Sequence, residues 1–181
     1  MPDRRSLTTR LTVLFASVST GVLLLLGLII GILVEDHFEE LDRVVLDAHI
    51  EHLRQALQKI HRVDDWAGLP AQMDATPHTA HDLSLIVVSP AGQTLFVRGS
   101  AAFPAKLLAV DADGQPTHRE LQVWNDGGER KLRSIVARLE TGEPTTPSVL
   151  AGAAIDIGHH QQFMRSFHVA LWSVVSLAAL L

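Results

Sequence analysis

Residues 11–34, LTVLFASVSTGVLLLLGLIIGILV, run for 24 positions without one charged side chain. An α-helix rises about 1.5 Å per residue and the hydrocarbon core of a bilayer is about 30 Å thick, so about 20 such residues cross it. A cleaved signal peptide is the rival reading, but its apolar core spans about 7–15 residues and ends at a small-residue site. This run is longer and ends Gly31-Ile-Leu-Val-Glu-Asp36 with no such site, which favours an uncleaved anchor. A second apolar run, residues 169–181, closes the sequence. From Phe167 it offers 15 residues, too few for an untilted span, so residues 163–181 read as the truncated start of a second transmembrane helix.

The flanks set the orientation. Arg4, Arg5 and Arg10 precede the first run, and Glu35, Asp36, Glu39, Glu40 and Asp42 follow it. Basic residues stay on the cytoplasmic side, so residues 1–10 are expected inside, 11–34 in the membrane and 35–162 outside. The outside stretch has the length of one domain. It holds 19 Asp and Glu against 11 Lys and Arg, a balance of −8 that argues against nucleic acid and suits cations. The chain has no Cys and ten His. A domain without disulfides relies on its core, and a soft-metal site without Cys falls to His or Met.

Hydrophobic spacing organises the outside segment. Val34, Phe38, Leu41, Val45 and Ala48 form one helical stripe; Leu46, Ile50, Leu53, Leu57 and Ile60 form a second, offset one. The spacing predicts a helix over 35–62. Either its lower half packs on a partner helix and its upper half on its own domain, or one broad apolar face serves both. Gly68, Pro70 and Pro77 mark 64–79 as a loop. Residues 83–89 and 94–98 read as strands around a Ser89-Pro-Ala-Gly92 turn, and 104–110 as a short helix. Residues 120–124, 129–139 and 148–156 complete an antiparallel set, with Asn125-Asp-Gly-Gly128 as a hairpin turn and 142–147 as a loop. A helix follows from Ile157. The fold class is α+β: a transmembrane helix, a long helix on a sheet of about five strands, and a returning helix.

Two membrane-proximal stretches carry a family likeness. Ser6-Leu-Thr-Thr-Arg-Leu11 and Asp36-His-Phe-Glu-Glu-Leu-Asp42 stand at the first span; Ala154-Ile-Asp-Ile-Gly-His-His-Gln-Gln-Phe163 stands before the second. Together they resemble the sensor portion of heavy-metal sensor histidine kinases of copper/silver two-component systems. The resemblance implies a PAS-like periplasmic domain that dimerises, binds Cu(I) or Ag(I), and signals to a kinase core. That core uses ATP and phosphorylates a response regulator. It also implies metal ligands at His37 and His160, with Phe38 beside the ion and His159 as a substitute for its neighbour. One departure is the central hairpin, 124–132, which has neither Met nor His where some members carry a metal-binding loop.

The residues support the site in their own right. His37 is three positions beyond the apolar edge at Val34, and His160 stands about two turns before the apolar run at Val169. Two spans packed side by side bring these imidazoles to similar heights, and a homodimer doubles them. Imidazole suits copper, zinc and nickel, with zinc therefore a further candidate. The Phe38 face offers a cation–π contact, and Glu35, Asp36 and Glu39 concentrate cations. Against this, a His at a membrane surface is commonly a bystander. His49 and His52, at i and i+3, read as a solvated helix face; His78 and His81 as surface; Trp124 as core; Met73 and Met164 as too few for a methionine site. His49-Ile-Glu-His-Leu-Arg54 faintly resembles a phosphoacceptor box but lacks its Thr-Pro, and no glycine-rich ATP-binding segment is present. These 181 residues are expected to catalyse nothing. Competing readings are a sensor kinase input for a non-metal envelope cue, a transducer without a kinase, and an anchored scaffold.

Overall fold

The structure is a computed structural model that describes residues 7–74, 83–117, 120–127 and 130–180, and for 159, 160 and 178–180 the backbone only. The chain forms two compact units, Met1–Glu39 with His159–Leu181, and Glu40–Gly158.

In the second unit, helix α1 (Leu7–Leu57) supplies its C-terminal part. Five strands follow: β1 (Leu83–Val88), β2 (Thr94–Arg98), β3 (Gln122–Asn125), β4 (Lys131–Glu140) and β5 (Ser148–Asp156). They form one antiparallel sheet in the order β2-β1-β5-β4-β3. β5 lies at its centre, and its nine residues are small or apolar except the last, Asp156. The two faces of the sheet bury different partners. Leu85, Val87, Leu139, Val149, Ala151 and Ala153 join Leu46, Ile50, Leu53 and Leu57 of α1 in the main core. Val136, Leu150, Ala154 and Trp124 make a smaller core under Phe103 and Leu107, which belong to the segment between β2 and β3. Fully burying one such Leu is worth about 1.5–3 kcal/mol, so the α1 stripe alone anchors the helix to the sheet.

Most strand limits follow from the pattern; β2 and β5 match their expected bounds. Two expectations fail. The stretch 64–79 is not simply a loop, for it holds a 3-10 turn (Val63–Gly68) and helix α2 (Leu69–Asp74). Asp65 accepts the His61 and Arg62 amides at 2.9 Å each and starts the turn, while Pro70 sits in the first turn of α2, where a missing N–H costs nothing. The remainder of that stretch, with His78, and His81 beyond it lie outside the described residues. The expected helix at 104–110 is a pair of turns, with Leu107 donating to Pro104 and Leu108 to Ala105. There the segment is pinned by burial of Leu107 rather than by helical hydrogen bonding. β3 and β4 pair antiparallel as the expected hairpin, with the Asp126 amide donating to the Arg130 carbonyl at 3.2 Å and Gly127 at φ +55°, while residue 128 of the expected turn lies outside the described residues.

In the first unit, the N-terminal part of α1 pairs with helix α3 (Gly158–Leu180). A Cβ at Gly27 would run into the Leu171 side chain, and one at Gly31 would sit 3.8 Å from His168 Nε2. Gly27-Leu-Ile-Ile-Gly31 is thus a notch of the small-xxx-small kind that lets two apolar helices approach closely. Among the described residues, α1 is the one helix long and apolar enough to cross a membrane.

Candidate metal centre

The two sequence stretches singled out above meet through their phenylalanines. Phe38 on α1 and Phe163 on α3 stack edge to face, with ring centroids 6.1 Å apart and planes at 77°. His37 precedes Phe38 and is exposed. His160 lies in the first turn of α3, three residues before Phe163, with His159 beside it; the side chains of both histidines lie outside the described residues. Among the described residues, no group of three or more His, Asp or Glu side chains is disposed around a point where an ion could sit. His37 and Phe38 are accessible, or half-accessible, for such a role.

The aspartates of the two stretches do other work. Asp42 and Arg133 of β4 form a buried ion pair, Nη1 to Oδ2 2.6 Å, at 3% and 8% exposure. It ties α1 to the sheet one turn above Phe38 along that helix. Asp156 ends β5, and its Oδ1 accepts the Gly158 amide at 2.7 Å where α3 begins. The Ile157 amide donates to the Lys131 carbonyl at 3.0 Å. Each motif thus joins a helix to the edge of one sheet region: Arg133 pairs with Ile155 in the β4–β5 register, next to Asp156.

Other candidates resolve more plainly. His49 and His52 lie half-exposed on the helix, with His49 Nδ1 2.7 Å from the Val45 carbonyl of its own helix. Trp124 is core, as expected, and donates from Nε1 to Ser134 at 3.0 Å. At the far end of α1, Glu143 accepts from Trp66 Nε1 at 2.9 Å and from the Thr145 hydroxyl. Those bonds hold the Glu143 carboxyl below its usual range, the Thr145 bond most, and the His61 and Arg62 amides do the same for Asp65.

Sequence reasoning placed Phe163 in the second motif without giving it a partner, and missed Arg133 and the glycine notch as parts of this region. The notch had a legible signal, G-x-x-x-G inside an apolar run. The Asp42–Arg133 pair had none, since 91 residues separate its partners.

A helix with a membrane-crossing stretch that continues into an α+β domain, whose last strand leads into a helix packed beside the first, defines a membrane-anchored sensor. The model of the CusS sensor domain family matches residues 3–164. The chain belongs to that family, the sensor portion of heavy-metal sensor histidine kinases. It is similar to the Sensor protein CopS of Pseudomonas syringae pv. tomato, 27% identical over 176 residues, 94% of this chain and 33% of that protein. The chain therefore spans about a third of the length of that curated relative. A solved sensor domain, that of the zinc-responsive histidine kinase CzcS from Pseudomonas aeruginosa, covers 63% of this chain and 95% of its own at 23% identity and a TM-score of 0.33. That likeness is too loose to carry an argument.

Proposed function

We propose that this chain is the input module of a sensor histidine kinase that detects periplasmic Cu(I) or Ag(I). In this reading His37 and His160 are the ligands, Phe38 faces the ion, and His159 can replace its neighbour. The N-terminus is cytoplasmic, residues 35–162 are periplasmic, and a kinase core with its response regulator receives the signal. The observation that supports the reading is the Phe38–Phe163 ring contact. It joins the two stretches that carry the candidate ligands, one on each helix.

Metal-linked dimerisation is the proposed signal. Leu41 and Val44 on α1 are 47% and 58% exposed although they are apolar and lie beyond the membrane stretch. A second copy of the chain is the proposed cover, and an ion bound only by the dimer favours it by mass action.

The test is titration of the 181-residue chain in nanodiscs with Ag(I), beside His37→Ala/His160→Ala. Wild type should bind saturably and shift to dimer, and the double variant should lose at least tenfold in affinity, about 1.4 kcal/mol. Protons compete with metal for imidazole, so affinity should fall as pH is lowered. Unchanged affinity in the double variant sinks the ligand assignment. A flat profile from pH 5 to 8 does the same.

A further inference from the structure

The sheet face opposite α1 holds a space that the metal reading does not use. A cavity of about 300 Å³ lies between the ends of β1, β4 and β5 and two turns, 89–92 and 109–117. That volume is at the lower limit of small-molecule sites, about 300–1,000 Å³. Val88, Leu108 and Leu150 give it apolar walls, and Ser148 and Arg138 give it a polar side.

The 109–117 turn is a small closed unit. The Asp111 amide donates to the Gln115 carbonyl at 2.8 Å, the Thr117 amide donates to the Ala109 carbonyl at 3.0 Å, and Gly114 takes φ +71°. Arg138 holds the turn from the sheet. Its Nη1 donates to the carbonyls of Asp113 and Gly114 at 3.1 and 3.2 Å, and its Nη2 to Ser148 Oγ at 2.9 Å.

The partners of Arg138 differ from those of the ion-paired arginines around it. Arg98 pairs with Asp74 at 3.0 Å, Arg130 with Asp126, and Arg133 with Asp42. Among the described residues, Arg138 has three neutral oxygens and no carboxylate. A guanidinium carries five N–H donors in a rigid fork that matches a carboxylate. Its present bonds are already charge-assisted on the donor side, and a carboxylate entering this cavity adds the negative charge that the two carbonyls and the hydroxyl lack.

We propose that the cavity binds a small organic anion, its carboxylate on Arg138 and Ser148 and a compact apolar body against Val88, Leu108 and Leu150. The same guanidinium tethers the 109–117 turn, so an anion that recruits it changes the hold on that turn. The sensor domain then carries a second input, on residues separate from those of the metal reading, and either can fail without the other.

The test uses the 181-residue chain in nanodiscs of uncharged lipid, with empty nanodiscs as blank. Benzoate is titrated by calorimetry, beside sulfate (charge without an apolar body) and benzyl alcohol (apolar body without charge). Benzoate should saturate at one per chain at roughly millimolar concentration or below, with the two controls at least about tenfold weaker. Arg138→Gln should weaken benzoate by about tenfold or more, and Leu108→Trp, which fills the space and leaves the guanidinium, should do the same. Benzoate that never saturates, or that binds both variants as it binds wild type, overturns the proposal. Benzyl alcohol binding as well as benzoate would leave only an apolar hole and also overturn it; sulfate matching benzoate would make it an inorganic-anion site. Should Arg138→Gln fail to fold, the wild-type ratio of benzoate to benzyl alcohol, with Leu108→Trp, decides.

Discussion

Over residues 46–57 helix α1 buries Leu46, Leu53 and Leu57 completely, whereas over residues 11–34 the same helix leaves Leu14, Leu25 and Leu33 more than half exposed. The residue type is identical and the backbone is one unbroken helix. What differs is the surrounding medium. The upper leucines find apolar partners on the sheet, and the lower ones need lipid, since a run this apolar has no other favourable surroundings. Between them, residues 35–45 have few such partners beyond Phe38 against Phe163 and Asp42 on Arg133. Glu35, Asp36, Glu39 and Glu40 make that segment soluble, yet Leu41 and Val44 remain uncovered. It is also where His37 and Phe38 sit, and where Asp42 fastens the helix to β4.

The largest effect should come from breaking that fastening. Arg133→Met removes the buried ion pair with Asp42 and should cost about 3–5 kcal/mol, read as a loss of urea stability of the sheet unit. Replacing both, Asp42→Leu with Arg133→Met, should recover most of it, because the penalty is for a buried charge that has lost its ion pair rather than for the missing bond. If both variants lose equally, the pair is doing something other than neutralising itself.

Leucines from the two sections of α1 should then separate. Leu53→Ala opens a cavity in the main core and should cost about 2–5 kcal/mol. Leu41→Ala should change the stability of a single chain by no more than about 0.5 kcal/mol, as surface substitutions do. A large effect at Leu41 that grows with protein concentration would show that a second copy covers it.

In the first unit, Gly27→Leu overpacks the notch against Leu171 and should cost about 1–3 kcal/mol of helix pairing. The chain has no cysteine, so Gly31→Cys with His168→Cys gives a crosslinking reporter without background. Its yield should fall when Gly27→Leu is added.

The uneven legibility of the chain has the same physical root as this contrast. Burial imposes a period, so the second α1 stripe and the edges of β2 and β5 could be read directly from Leu46, Leu53, Thr94 and Asp156. Helix α2 was hidden because Pro70 reads as a breaker unless its place in the first turn is known. Residues 104–110 read as a short helix in sequence, and only the tertiary burial of Leu107 makes them a pair of turns. At the candidate site, His37 and Phe38 were visible as a motif at a membrane edge. Their link to Phe163, and the burial of Asp42 on Arg133, depend on chain segments that come together only in three dimensions.

The smallest expected effect lies at the other end of α1, in the carboxylates that close the turn after it. Asp65 and Glu143 have usual pKa values of 3.8 and 4.5, and both are lowered in the fold, Asp65 chiefly by the His61 and Arg62 amides and Glu143 chiefly by the Thr145 hydroxyl. A carboxyl with a lowered folded-state pKa releases its proton more readily when folded than when unfolded. Its contribution is therefore fully present above the usual value and is lost as pH falls through the lower folded one. The stability that these two carboxyls contribute should hold from neutral pH to about 4.5 and be lost progressively below that. Glu143→Gln removes one of the two titrations, so urea midpoints measured from pH 6 to 3 should fall less steeply in the variant than in wild type. Equal slopes would mean that these bonds survive protonation and that the acid sensitivity of the fold arises elsewhere, with Asp42 beside Arg133 the next group to replace.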